Sequence, residues 1–485
     1  MAMSPISATQ RSFLSSQKGQ INQSAQAQQA QLIQRDQIRF SGTPKADLLV
    51  KQFTDAIDGQ SRELAIEVAN HPEFKFSLKD TYGNPLFKAI DNKDEALFDL
   101  LLTKLEKPSE LKNASHLLEE AIKLKHWGIA KKLIDNGLDF RETRYSVPMA
   151  FFFPDTPEWA DYLISKGLDV RGSLEGQIHE ISRSGSGNYD VAFWAAATGR
   201  TNLLEKALEA GFNPEMVVKS SYPKYPDKRL LDVAISSPVV LKLLLDKGVK
   251  LRHPQHDYQE LYEKPNLLKE IAICGFTESF NVVMLALQNS SEYSAEEKKA
   301  MFEDAFSATL YNVDSHTSRG NIEGCLKIVK NLLDAGCGRD ASGQLKPNLM
   351  VHTIGTGRLL DTLVEAGINI NGRFWERDQT ALMEIASHVN SQSTPERLQK
   401  LIALGADVNA RDNRGWTALM YAMDTSRISH RQRFKREYIP KVAEVLQKAG
   451  AQLTLWDKAK LKLEVIKPTR ILSRTLDNIF GGIRW

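Results

Sequence analysis

Apolar residues recur along this chain in a fixed relation to glycine. Eight glycines, Gly137, Gly167, Gly211, Gly248, Gly336, Gly367, Gly405 and Gly450, each stand just past a short apolar stripe. Counting back from each, the residues at −8, −7, −4 and −3 are apolar: Ile129, Ala130, Leu133 and Ile134 before Gly137, or Ile328, Val329, Leu332 and Leu333 before Gly336. Only the last two copies break the pattern, at Arg397 and Gln447. This spacing places one stripe on one face of a short helix. The glycine beyond it supplies the left-handed residue that ends the helix.

A second short helix is predicted ahead of each stripe, at Leu117–Lys125, Val191–Ala197, Leu230–Ser236, Ala381–Ser387 and Ala418–Met423. Asn84, Asp190, Thr380 and Thr417 stand where such helices need a capping side chain. The unit is therefore helix, turn, helix, glycine, loop. The shortest intervals, Gly137 to Gly167 and Gly336 to Gly367, fit one repeat of about 30–33 residues. The long interval from Gly248 to Gly336 must hold a degenerate unit around Leu267–Gln288. Asp80–Leu102 reads as a unit without its glycine, and 46–70 as a first cap. The array over 46–453 thus holds about nine to eleven units, with insertions near 171–190, 250–325 and 424–440. Residues 1–45, rich in Ser and Gln with no hydrophobic period, are expected to be a disordered arm with a transient helix around 24–37.

The stretch Leu404-Gly405-Ala406-Asp407-Val408-Asn409-Ala410-Arg411-Asp412-Asn413-Arg414-Gly415-Trp416-Thr417-Ala418-Leu419 resembles the loop, hairpin tip and first-helix entry of an ankyrin repeat. Ala418 stands where that family usually has proline, and Met420 where it has histidine. Ala195 to Gly211 resembles the family's helix pair, and Asp80-Thr81-Tyr82-Gly83-Asn84-Pro85-Leu86 resembles it more loosely. At the level of architecture the resemblance covers roughly 75–455. It implies an all-α, ankyrin-type helical solenoid that binds proteins through a concave face and loop tips and has no catalytic activity of its own. Physics agrees, because one helix pair cannot bury its apolar face alone and must stack on neighbours.

The composition, 485 residues with 42% hydrophobic and 25% charged, is that of a folded protein of several domains or a repeat array. No run of eighteen apolar residues or signal-peptide pattern is visible, so a cytoplasmic protein is expected. Cys274, Cys325 and Cys337 are too few and too scattered for a disulfide framework or a zinc site. Residues 1–45 carry five Lys/Arg against one Asp and residues 454–485 seven against three, so each end is near +4 and, with the whole chain at +3, the middle is near −5. That asymmetry is weak for a nucleic-acid binder. The basic segment 454–485 reads as an amphipathic cap or tail, with a helix near 455–466, Pro468, and a second apolar set at Ile471, Leu472, Leu476, Ile479 and Phe480.

Candidate chemistry is sparse. Gly355-Thr356-Gly357 begins like a dinucleotide loop, but Leu360 stands where the third glycine belongs, so a helix-entry turn is the reading. His253-Pro254-Gln255-His256-Asp257 groups metal-ligand types, but proline keeps the histidines off one helical face, and a solvated loop is expected. Ser15-Ser16-Gln17-Lys18 sits in the arm, where no pocket can activate a nucleophile. Glu119-Glu120 and Glu296-Glu297 read as exposed helix faces. No catalytic residue, metal site or cofactor is assigned.

Two features suit binding. One is a pair of successive tips: Phe374, Glu376, Arg377 and Gln379, then Arg411, Asn413, Arg414 and Trp416, where Arg and Trp are typical interface anchors. The other is a basic insert with Arg427, Arg431, Arg433, Lys435 and Arg436, which suits an acidic partner or anionic surface. The function expected is a non-catalytic, monomeric protein–protein interaction scaffold of unspecified partner. The alternatives are a secreted bacterial effector that binds a host protein, suggested by the acid-poor Ser/Gln-rich leader, and an enzyme with its site in the irregular stretch 250–325.

Overall fold

A computed structural model describes residues 45–78, 84–144, 146–178, 187–219, 226–254, 265–315, 320–353, 356–388, 394–424 and 435–464. The arm 1–44 and the tail 465–485 lie outside these residues. The chain divides into two units, one of residues 1–178, 184–194 and 202–210, the other of 179–183, 195–201 and 211–485.

All eight glycines of the pattern adopt left-handed φ, between +83° and +98°. Around Gly137 the reason is plain. Its N–H donates to Ile134 O at 2.9 Å and the next N–H, of Leu138, donates to Leu133 O at 3.2 Å. This pairing closes the helix end and satisfies carbonyls that would otherwise be orphaned. The same two bonds recur at Gly405 and Ala406, to Ile402 O and Leu401 O. The stripes are core: Ile129, Ala130 and Leu133 are fully buried, as are Ile328, Val329 and Leu332. Where the pattern breaks, Arg397 and Gln447 are half-buried.

In the first unit, helix pairs at Lys45–Asp58 with Arg62–Asn70, Pro85–Asp91 with Glu95–Leu102, and Ser115–Lys123 with Trp127–Asp135 stack in order. First helices pack on first helices and second on second, as in the stacked units of a repeat array. The hairpin Ser173–Gly176 with Gly187–Asp190 is antiparallel, pairing Leu174 with Tyr189. It is pinned by Trp194, whose indole N–H donates to Leu174 O at 3.0 Å while its ring stacks on Phe151 and meets Tyr189 edge-on.

In the second unit, Leu267–Cys274 and Thr277–Asn289 form a pair within the stretch expected to be irregular. The long helix Ala295–Asp314 packs on Leu267–Cys274 and pairs with Ile322–Asp334, so it occupies the place of a first helix. Further on, Ala381–Ser387 packs on Ala418–Met423, and Thr394–Ala403 packs on Lys435–Lys448. The first helices here are buried nearly all round, with Ala418 to Met423 each below 5% exposed, as a helix sandwiched between neighbours must be. Thr380 and Thr417 accept from the N–H of Met383 and Met420 and cap these helices. Helix pairs, left-handed glycines and short hairpin tips together make an all-α helical solenoid of ankyrin type.

His253 departs from the expected solvated loop. It is 4% exposed, and its Nε2 lies 2.6 Å from Asp227 O and 3.4 Å from Asp232. Residues 255–264, which include His256 and Asp257, lie outside the described residues.

Candidate functional site: the tips at 371–380 and 409–417

Two asparagines set the tips in register. Asn371 donates to Gly405 O at 3.1 Å and accepts the Asp407 N–H at 2.8 Å. Asn409 repeats this one unit later, with Gly450 O at 3.0 Å and the Gln452 N–H at 3.0 Å. Each loop thereby grips the glycine turn of the next unit.

The tip at Arg411–Trp416 is organised by Asp412, whose side chain is fully buried. Its carboxylate accepts the N–H groups of Arg414 at 3.0 Å and Trp416 at 2.7 Å, and the Tyr421 O–H at 2.6 Å. Arg414 donates to the Tyr421 hydroxyl at 2.8 Å and lies over the Trp416 ring, 4.9 Å from its centroid. Burial, then the Asp412 bond, pushes the Tyr421 phenol up. Trp416 is 2% exposed, and its indole N–H finds no hydrogen-bond partner among the described residues. It belongs to the core and supports the tip from below.

The preceding tip closes differently. Phe374 and Gln379 exchange both backbone hydrogen bonds, at 3.0 and 3.1 Å, and both side chains are buried. Trp375 and Asp378 take φ of +60°. A left-handed bulky residue is rare and has to be held by its surroundings. Here the next tip does so: Asn413 donates from its side chain to Glu376 O at 2.8 Å and from its N–H to Arg377 O at 3.1 Å. Arg373 bridges Asp378 O and Arg411 O at 3.0 and 2.7 Å. The effect is to turn Trp375 outward, 51% exposed, beside exposed Glu376 and Arg377.

Of the residues expected at the tips, Glu376, Arg377, Arg411, Asn413 and Arg414 are exposed, whereas Phe374, Gln379 and Trp416 are buried and offer a partner no side-chain surface. Trp375 was not among them; its signal was a large aromatic at a turn position, next to a residue that pairs across the hairpin. Arg411 is half committed, because its guanidinium makes a two-point contact with Asp457 at 2.7 and 2.8 Å. The hydrogen bond from Arg411, opposed by burial and joined by bonds from Thr454, holds the Asp457 carboxyl down at about 2. Arg427, Arg431 and Arg433 of the basic insert lie outside the described residues, and of Lys435 and Arg436 only the backbone, in the helix Lys435–Lys448, is described.

Arg229 and Asp232 form a buried two-point ion pair at 3.0 Å, and Arg229 also donates to Lys250 O at 2.8 Å. Burial would push the Asp232 carboxyl up, but the charge of Arg229 and hydrogen bonds from His253 and Arg229 hold it well below the usual carboxylate range. The cavity these residues line with Tyr293 holds about 20 Å³, room for one water and no substrate. Among the described residues no group of three or more His, Cys, Asp or Glu could hold a metal ion, and no helix is long and apolar enough to cross a membrane.

No protein-family model and no curated protein matches the sequence. Among solved structures, the chain is similar to the ankyrin repeat domain of human ASB11, with 17% identity and a TM-score of 0.35 over 55% of this chain and 100% of that one. It is also similar to the ankyrin repeat domain of Bcl-3, a member of the IkappaB family, with 14% identity and a TM-score of 0.34 over 53% of this chain and 98% of that one.

Proposed function

We propose that this chain is a non-catalytic protein-interaction scaffold and that a protein partner docks on the adjacent tips at 375–377 and 411–414. The observation that carries this reading is Trp375, a large aromatic held outward in a left-handed conformation by hydrogen bonds from the following tip. A strained, preorganised aromatic close in sequence to exposed Arg377, with exposed Arg414 on the next tip, has the composition of an interface hot spot. Side chains held before binding lose little entropy on contact. Phe374 and Trp416 contribute as the packing under the surface, and the partner meets Trp375, Glu376, Arg377, Asn413 and Arg414.

The test is affinity purification from the native cell, followed by titration of the recovered partner against wild type, Trp375→Ala, Arg377→Ala and Arg414→Ala. Trp375→Ala is expected to weaken binding by about 2 kcal/mol, roughly thirtyfold. Unchanged affinity in all three variants would show that the partner binds elsewhere.

A further inference from the structure

We infer that the segment of partner protein docking on the two tips is acidic, with Asp or Glu placed beside an apolar side chain. This rests on the docking reading above and adds the chemistry of what docks. Within 371–380 and 409–417 the chain carries four arginines, Arg373, Arg377, Arg411 and Arg414, and all four are exposed. The acids set against them are not arranged alike. Asp412 lies 3.6 Å from Arg414, and Asp457 lies 2.7 Å from Arg411. Those carboxylates are 0% and 2% exposed, whereas the two arginine side chains are 38% and 43% exposed. The exposed acids of the tips are Glu376 and Asp378, so the outward layer carries four positive charges against two negative ones.

A buried carboxylate beneath an exposed guanidinium is a dipole with its positive end outward. An incoming carboxylate meets the guanidinium first and stays farther from the buried acid. Attraction therefore exceeds repulsion, although each such pair is neutral as a whole.

Arg377 is the strongest point of this surface. Its backbone is held, because its carbonyl accepts the Asn413 N–H at 3.1 Å. Its guanidinium makes no hydrogen bond or ion pair among the described residues. The fold thus fixes the base of the side chain and leaves its charge to a partner, and a guanidinium binds a carboxylate at two points. Arg414 follows Asn413 directly, so a chain that passes from Arg377 to the second tip arrives at Arg414. That side chain is already placed by the Tyr421 hydroxyl and the Trp416 ring, which lowers the entropy lost on contact.

Trp375 supplies the apolar contact, its ring edge-on to buried Phe374 with 5.0 Å between centroids. A basic partner would set like charge against Arg377 and Arg414. A wholly apolar one would strip their water and return no countercharge.

The experiment is selection from a displayed random-peptide library, with the full chain, Trp375→Ala and Arg377→Glu each as bait. Peptides that bind wild type and are lost with Trp375→Ala are expected to carry Asp and Glu at about twice the library frequency or more. Such a peptide, synthesised and titrated singly, should bind Arg377→Glu about tenfold more weakly than wild type, and should lose about as much when salt is raised to roughly 0.5 M. Arg377→Glu removes no side-chain bond of the fold, and an unaltered thermal transition confirms folding. Trp375-dependent peptides that are neutral or basic, or that bind Arg377→Glu as well as wild type, overturn the acidic partner and leave the docking surface standing. Recovery of no Trp375-dependent peptide overturns the docking surface itself, and the acidic partner with it.

Discussion

The carboxylate of Asp412 accepts the phenolic O–H of Tyr421 at 2.6 Å, across nine positions of sequence. Asp412 stands on the tip and Tyr421 on the first helix behind it, so the bond ties the exposed loop to the rigid interior. Arg414, stacked on Trp416 and bonded to Tyr421, inherits its position from this pair.

Tyr421→Phe removes one of the three donors to Asp412 and should cost about 1–2 kcal/mol. Asp412→Ala also strands the N–H groups of Arg414 and Trp416 and should cost about 3 kcal/mol. Urea denaturation gives the totals, and hydrogen exchange at residues 411–424 should locate the loss. If Asp412→Ala costs no more than Tyr421→Phe, the carboxylate does not organise the tip.

Glycines of two kinds should respond differently to alanine. At Gly405 an added Cβ meets nothing within 4 Å, so Gly405→Ala bears only the left-handed penalty of about 1–2 kcal/mol. At Gly275 the same atom would lie 2.1 Å from Asn321 O, and at Gly324 it would lie 2.0 Å from Gly275 O. There the end of Leu267–Cys274 touches the start of Ile322–Asp334 backbone to backbone. Gly324→Ala, with no left-handed penalty to bear, should still cost about 3 kcal/mol or more. A Gly324→Ala cost no greater than that of Gly405→Ala would show that the two helices move apart easily and that their close backbone contact adds little.

The buried pair Arg229–Asp232 should be costly to break and cheap to replace. Arg229→Met leaves Asp232 charged and 5% exposed, with His253 and the backbone N–H of residue 229 as partners but no permanent countercharge, and should cost about 3–5 kcal/mol. Arg229→Met/Asp232→Leu should recover much of that. Recovery stays partial, because Arg229 also satisfies the carbonyls of Lys250 and Arg252. Denaturation of the single and double variants measures the difference, and a double variant worse than the single one contradicts this account.

What could be read from the sequence was what is local and periodic. The stripe Ile129, Ala130, Leu133, Ile134 and its glycine contain their own geometry, so the helical repeat is legible in the sequence itself. The tips were read less well, because which side chain points out depends on partners in the next unit. Phe374 turns in and Trp375 out through the backbone pairing with Gln379 and the grip of Asn413, 37 positions from Glu376. His253 looked solvated because Asp227 and Asp232, which hold it, lie in the loop and helix before the preceding stripe. Arg411 was legible as a binding residue, but its bond to Asp457, 46 positions away, was not.

That bond predicts an acid sensitivity at the end of the array. Asp457 titrates at about 2 in the folded chain and near 3.9 when unfolded, by the usual value for aspartate. A depressed carboxylate contributes its full stability above the unfolded value and loses it as pH falls through the folded one. The contribution, about 1–2 kcal/mol once the half-exposure of Arg411 is discounted, should therefore be present at pH 5 and fade between about pH 4 and pH 2. Hydrogen exchange at the amides of 455–464 should accelerate across that window while the helix Ala418–Met423 stays protected. Arg411→Ala should raise exchange in 455–464 already at pH 5 and flatten its acid dependence. A wild-type profile as flat as that of Arg411→Ala would mean that the last helix is held by Leu461 and its packing alone.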